Sequence, residues 1–169
     1  EAIAAESDVS VVTVYNYYKS KAGLLLALVR ESDDLLIRQL KAMIAKNLPD
    51  PLESVARFGQ ILRRHAMSYL TKPTWREIVS TSIHEGSSDF GRTYLALDRV
   101  LIDLMQTMIE NYQKRGLISP ASNSADLADC LFSLQNIRFF QFIADDSIDD
   151  AQIDSRFRSD LFAVRDLFS

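Results

Sequence analysis

Cysteine, glycine, proline and histidine are all scarce in this chain of 169 residues. One cysteine, Cys130, cannot close an internal disulfide, so the core must hold the fold, and a reducing compartment such as the cytoplasm is the natural setting. Lying among Leu127, Leu131 and Phe132, that thiol reads as buried and inert. Five glycines and four prolines leave little room for a loop-rich architecture. No apolar run approaches the roughly 20 residues of a membrane-spanning helix, so no membrane partner is expected. His65 and His84 stand apart, without the i, i+4 histidine or neighbouring Cys or carboxylate that a metal site needs. There is no Glu-x-x-His pair, no phosphate-cradling glycine loop and no Ser-His-Asp or Cys-His grouping. An enzyme is therefore not expected, nor a cofactor or metal. The acidic pairs Asp33-Asp34 and Asp145-Asp146 read as solvated helix ends. A net charge of −4 argues against a general nucleic-acid coat, but it is compatible with a small basic head on a larger acidic body.

What is present is helical throughout, and the chain is long enough for one or two helical domains with a real core. One helix is predicted from Lys21 to about Lys46. Asn47-Leu48-Pro49-Asp50-Pro51 breaks the pattern, and Pro51 suits the opening of the next helix, to about Leu70. Thr71-Lys72-Pro73-Thr74 reads as a second break, followed by a short helix from Trp75 to His84. Gly86-Ser87-Ser88-Asp89 starts a long helix to Lys114, stopped at Arg115-Gly116. A loop through Pro120 leads to a helix from about Ser124 to Ala144, and the acidic stretch from Asp145 to Asp150 separates it from a last helix ending near Phe168. The expected fold class is all-α.

Residues 3 to 25 carry the most information. They read as a helix, a tight turn, a short second helix with an aromatic and polar outer face, and a basic helix start, the layout of a helix-turn-helix head. Ser10 suits the N-cap of the second helix. At about 100° per residue, Val11, Val14 and Tyr18 fall on one side, with Ile3, Ala4 and Val9 available beneath them. Val12, Thr13 and Asn16 fall opposite, with Tyr15 and Tyr17 on the flanks. This division suits a groove, with small or hydrogen-bonding groups towards bases and hydroxyls towards phosphates. Asn16 can pair with adenine N6 and N7 together, and Val12 can touch a thymine methyl. Ser20 can cap the next helix, placing Lys21 in its first turn. A cation is unfavourable there unless an external anion compensates. Between Val9 and Arg30 lie three basic residues and no acid.

This string resembles the TetR family of bacterial transcriptional repressors, whose signature runs roughly I-A-x-x-A-G-V-S-x-x-T-L-Y-x-Y-F-x-S-K-x-x-L. Ile3, Ala4, Val9, Ser10, Thr13, Tyr15, Tyr17, Ser20, Lys21 and Leu24 match it, with Val14 and Tyr18 as close substitutes. Asp8 replaces the turn glycine, a residue that tolerates left-handed backbone, and Ser7 stands where the family has alanine. The resemblance implies that Val11, Val12, Thr13, Tyr15, Asn16, Tyr17 and Lys21 face an operator in double-stranded DNA. It also implies a further helix ahead of Glu1, which falls partway into the first helix of the motif, so an incomplete or mobile head is expected. Residues 1–45 would form the partial DNA-binding domain with its connecting helix. Residues 46–169 would form the effector-binding and dimerisation domain.

The middle helices offer an inventory suited to an apolar pocket with a few polar anchors. The ligand candidates are Phe58, Leu62, His65 and Trp75, then His84, Tyr94, Leu101 and Met105. Seven of the nine phenylalanines follow residue 130. Along the last helix Ile153, Phe157, Leu161, Val164 and Phe168 recur at the spacing of a bundle seam. With Phe132, Phe139 and Phe140 they form the expected homodimer interface, and the resemblance implies the same arrangement. A two-fold axis would set two heads about 34–36 Å apart on a near-palindrome. The expected function is a ligand-responsive regulator, a repressor released by a small-molecule effector. The alternative is a helical small-molecule carrier or interaction module in which the hairpin is structural.

Overall fold

The computed structural model describes residues 10–18 and 20–168, and among these every regular element is helical. The order is α1 (Val11–Tyr18), α2 (Lys21–Ala45), α3 (Pro51–Tyr69), α4 (Lys72–Glu85), α5 (Asp89–Lys114), α6 (Ser124–Ala144) and α7 (Asp150–Ala163), with a closing 3₁₀ turn at Arg165–Phe168. Ile3, Ala4, Asp8 and Val9 lie outside the described residues.

Local chemistry sets most of the boundaries. Asp50 Oδ1 accepts from the Leu52 amide at 2.8 Å and Pro51 occupies the first turn of α3, a start that needs no amide from proline. Asn47 ends the preceding segment at φ 46°, left-handed backbone that asparagine tolerates. Asn123 caps α6 through the amides of Ala125 and Asp126. A capping box opens α7: Asp149 Oδ1 accepts from the Gln152 amide at 2.7 Å, and Gln152 Oε1 accepts from the Asp149 amide at 2.9 Å. Each such cap contributes about 1 kcal/mol.

Two boundaries differ from the sequence reading. The short helix opens at Lys72, ahead of Trp75, because Pro73 is tolerated in a first turn. Lys72 Nζ also anchors that turn, donating to the carbonyls of Asp145 (2.8 Å) and Ile148 (2.7 Å) beyond α6. The last α-helix stops at Ala163, where the Val164 amide turns to the carbonyls of Asp160 and Phe162 and the chain tightens into the 3₁₀ turn.

The core forms two adjoining clusters. Leu40, Phe58, Met105, Ile109, Leu131 and Phe157 centre the first; Trp75, Ile78, Phe142, Ile143 and Ile153 centre the second. The first contains Leu36, Leu40 and Met43 of α2, so the connecting helix is built into the body along its C-terminal half. Gly59 allows α3 to approach α6 and α7 closely, since a Cβ there would sit 2.8 Å from Phe157 Cε1 and 3.2 Å from Gln135 Cγ.

The same packing places the residues of the expected dimer seam largely inside the protomer. Ile153 and Phe157 have no exposed surface, and Leu161, Phe132 and Phe139 are buried within the protomer. A side chain with no surface left cannot bury more against a partner. Phe140 and Val164 are partly buried against the same cores, and the side chain of Phe168 lies outside the described set. The outward faces of α6 and α7 carry other groups: Ile137 is 48 % exposed and Phe162 63 %. Cys130 is likewise exposed, because Leu127, Leu131 and Phe132 take the inward side of α6 and leave residue 130 on the far one.

Polar groups pin α7 in place. Arg63 is wholly buried on α3, donating from Nη2 to Asp154 Oδ1 at 2.6 Å and from Nε to Asp150 Oδ1 at 3.5 Å. Arg158 bridges Asp154 (2.8 Å) and Glu53, and Arg138 grips Asp160 with two 2.6 Å bonds.

Candidate functional site

At the N-terminal end, Ser10 Oγ accepts from the Thr13 amide at 3.0 Å and shares a 2.8 Å hydrogen bond with the Thr13 hydroxyl, fixing the first turn of α1. Val12, Thr13 and Asn16 stand exposed on one side of this eight-residue helix. Tyr18 is half-buried at its end. The side chains of Val11, Val14, Tyr15, Tyr17 and Lys21 lie outside the described set. The link into α2 is short: the Ser20 amide donates to the Tyr18 carbonyl at 2.8 Å, and Ser20 Oγ accepts from the Gly23 amide at 2.9 Å. Glycine is required at 23, since a Cβ would come 2.2 Å from the Tyr18 carbonyl oxygen. The first turn of α2 holds no acidic residue, leaving the positive end of the helix dipole without an internal counter-charge in that turn.

Further along, α2 forms one wall of a cavity closed by α3, α4, α5 and α6. Together with its open mouth it takes in about 700 Å³ of non-atom space. Among the expected ligand contacts, Leu62, His65, Trp75, Tyr94 and Leu101 do line it. Phe58 and Met105 do not, being fully buried in the core beside Leu40 and Ile109. His84 is exposed near the end of α4 and lies outside the lining. Phe132 and Phe139, expected at a dimer seam, form part of the wall instead, with Phe139 edge-on to Trp75 at 5.4 Å between ring centres. Trp75 is held in place by its Nε1–H, which donates to the Ala66 carbonyl at 3.0 Å.

Beyond His65 and Tyr94, the cavity holds Asp33, Asp98, Gln135 and Asn136, which the sequence reading did not single out, and all have acceptor character to offer. Asp33 was expected to be a solvated acid. It is half-buried in the α2 wall, and burial raises its carboxyl to about 6, with Arg30 pulling the other way and Asp34 adding to the rise. Asp98, facing in from α5, is likewise raised to about 6 by burial, partly offset by the bond from Asn136 Nδ2 to its Oδ2 at 3.3 Å. Burial and the Asp98 charge push the Tyr94 phenol up, keeping it neutral. Burial lowers His65, favouring its neutral form around pH 7. The buried Gln135 Oε1 has no hydrogen-bond partner among the described residues.

A sequence signal for these positions existed. Val29, Asp33, Leu36, Leu40 and Met43 recur at four, three, four and three residues, so Asp33 interrupts an apolar stripe. Asp98 interrupts Tyr94, Leu101, Met105 and Met108 in the same way, and Gln135 interrupts Leu131, Phe139 and Phe142. Three polar breaks in three inward faces meet at one cavity.

Solved structures share this architecture. A TetR-family transcriptional regulator of Pectobacterium atrosepticum matches with a TM-score of 0.67 at 20 % identity, over 98 % of this chain and 80 % of that one. One from Syntrophomonas wolfei, described as a TetR-family regulator, matches at 0.68 and 19 % identity, over 96 % and 82 %. AibR, solved in complex with isovaleryl coenzyme A and operator DNA, matches at 0.57 and 20 % identity, over 95 % and 85 %. No protein-family sequence model and no curated protein sequence matches the chain. The chain therefore has the fold of TetR-family transcriptional regulators, the fold that the residues 3–25 resemblance implied. Among the described residues no helix is long and apolar enough to cross a membrane.

Proposed function

We propose that this protein is a DNA-binding transcriptional regulator, a cytoplasmic repressor released from its operator by a small organic effector. One observation carries the reading. A single helix, α2, packs against α1 at one end and supplies Val29, Asp33 and Leu36 to the cavity wall further along. Whatever fills the cavity acts on the helix that holds the reading element. The exposed Val12, Thr13 and Asn16 support a groove-facing role for α1, with Val11, Tyr15, Tyr17 and Lys21 completing the surface. The fold shared with AibR, which holds both DNA and a small molecule, supports the same pair of partners here.

In this reading residues 1–45 form the head and its connecting helix, and residues 46–169 the effector-binding and dimerisation body. The protein works as a homodimer on a near-palindrome, joined through the outward faces of α6 and α7 that carry Ile137 and Phe162. Release is a linked equilibrium: an effector that prefers the non-binding arrangement by about 1–3 kcal/mol weakens operator affinity several-fold to a hundredfold. Selection of bound duplexes from a random pool with the intact protein, repeated with candidate effectors, tests this. Enrichment of a two-fold-symmetric sequence that an effector abolishes is the expected result. No enrichment at moderate salt would overturn it in favour of a carrier.

A further inference from the structure

We propose that the cavity takes a protonated organic amine with an aromatic or alkyl body, its ammonium held by Asp98, Asp33 and Gln135 Oε1. The inference rests on the cavity being the effector site and names the chemistry of its ligand. Three observations converge on it.

The first is charge. Two carboxylates face this largely apolar space, and among the described residues no lysine or arginine is part of its lining. The exposed Arg30 acts on Asp33 from outside the lining, and burial remains the dominant influence on both acids. At neutral pH both are mainly ionised, so the walls carry negative charge that no lysine or arginine among the described lining residues balances. A carboxylate or phosphate ligand would add like charge in poorly solvated surroundings.

The second is the direction of the hydrogen bonds. Gln135 Nε2 donates to Asn136 Oδ1 at 3.4 Å, and Asn136 Nδ2 donates to Asp98 Oδ2 at 3.3 Å. This chain fixes which way each amide points. Its donors are directed towards Asp98, and it leaves the buried Gln135 Oε1 as an acceptor without a partner among the described residues. An orphaned buried acceptor asks for an N–H or O–H from whatever enters. An ammonium with N–H groups supplies both the charge and the donor, which a quaternary nitrogen would not.

The third is the wall. Trp75, Tyr94, Phe132 and Phe139 surround the space with aromatic surface, which suits an apolar body and attracts a cation over ring faces. Asp33 also places part of the attraction on α2, the helix that carries α1.

The chain has one tryptophan, Trp75, on the cavity wall, so its fluorescence reads occupancy without DNA. The test titrates the intact protein at pH 7.5 with 2-phenylethylamine, its uncharged isostere propylbenzene and the anion 3-phenylpropionate, with calorimetry alongside. The amine is expected to bind, with the carboxylate about tenfold weaker or worse. Asp98→Asn is expected to weaken the amine by about thirtyfold or more, on the order seen when a buried charge loses its partner, and to leave propylbenzene unchanged. The unchanged hydrocarbon shows that the variant retains its cavity. Carboxylate binding as tight as amine binding, or an amine affinity indifferent to Asp98→Asn, overturns the proposal while leaving the effector-site reading intact. Failure of all three compounds overturns both.

Discussion

Replacing Asp98 by asparagine should make the ligand-free protein more stable, and the gain should depend on pH. The carboxyl rises from 3.8 to about 6 on folding because burial disfavours its charge. Two pH units at 1.36 kcal/mol each give about 3 kcal/mol as the cost of keeping it ionised in the fold, an upper figure for a group that is mostly buried. The sign follows from proton binding. Between the unfolded value and about 6 the folded protein holds the proton more tightly, so stability falls as pH rises through that window and then stays at the lower level. Below about pH 4 the acid is neutral in both states and the cost disappears.

Asparagine has the same shape, and its Oδ1 can still accept from Asn136 Nδ2. Asp98→Asn should therefore match the parent near pH 4 and exceed it by up to about 3 kcal/mol at pH 8. For a chain of this size that corresponds to a rise in Tm of about 6–12 °C. Urea and thermal unfolding of both proteins at one fixed concentration, from pH 4.5 to 8, would measure it. A variant less stable than the parent at pH 8, or a difference that does not change with pH, would refute the reasoning.

Other substitutions probe different parts of the molecule. Arg63→Ala should cost about 3–5 kcal/mol in urea unfolding, because it vacates a buried site and leaves Asp154 with Arg158 alone of its two cations, whereas Arg63→Met should cost less. Gly59→Ala should destabilise by about 1–3 kcal/mol, since its methyl meets Phe157 at 2.8 Å in a packed interface. In operator binding by the intact protein, Lys21→Ala should weaken all sequences similarly and reduce the salt slope by about one, while Asn16→Ala should relax preference at one base position. Identical behaviour of those two variants on specific and random DNA would contradict their assigned roles. Ile137→Asp with Phe162→Asp should shift sedimentation towards the protomer without loss of helicity, if those faces join two copies.

Helix extents were legible where their signals are local. Pro51 with Asp50, the glycine after Arg115 and the capping asparagine at 123 act over one turn of chain, so reading them needs no knowledge of the fold. The start of α4 was less legible because Pro73 both ends and begins helices, and the choice is made by Lys72 reaching carbonyls more than 70 residues away. The facing of α6 could not be read at all from composition. It carries apolar side chains over most of its circumference, so neighbouring helices decide which arc turns inward. They bury Phe132 and Phe139 and leave Cys130 and Ile137 outside. The seam on α7 shows the same ambiguity: a bundle-type repeat says that a helix has one buried face, but not whether its own body or a second copy does the burying.

The cavity acids show how far such reasoning can be extended. A polar residue on an otherwise apolar helical stripe is costly, and one instance alone is usually explained by a local partner. Here Asp33, Asp98 and Gln135 come from three separate helices and break three separate stripes at positions that converge. Core packing alone does not require them, because leucine at each position would fit the pattern better. About 3 kcal/mol of lost stability at Asp98 is a large fraction of what a folded domain has to spare. Asn136 offsets part of that cost, and a ligand that supplied positive charge and hydrogen-bond donors to the same space would offset more. The stability gained by Asp98→Asn and the amine affinity it loses should therefore be two readings of one electrostatic imbalance, removed in the first case by mutation and in the second by the bound cation.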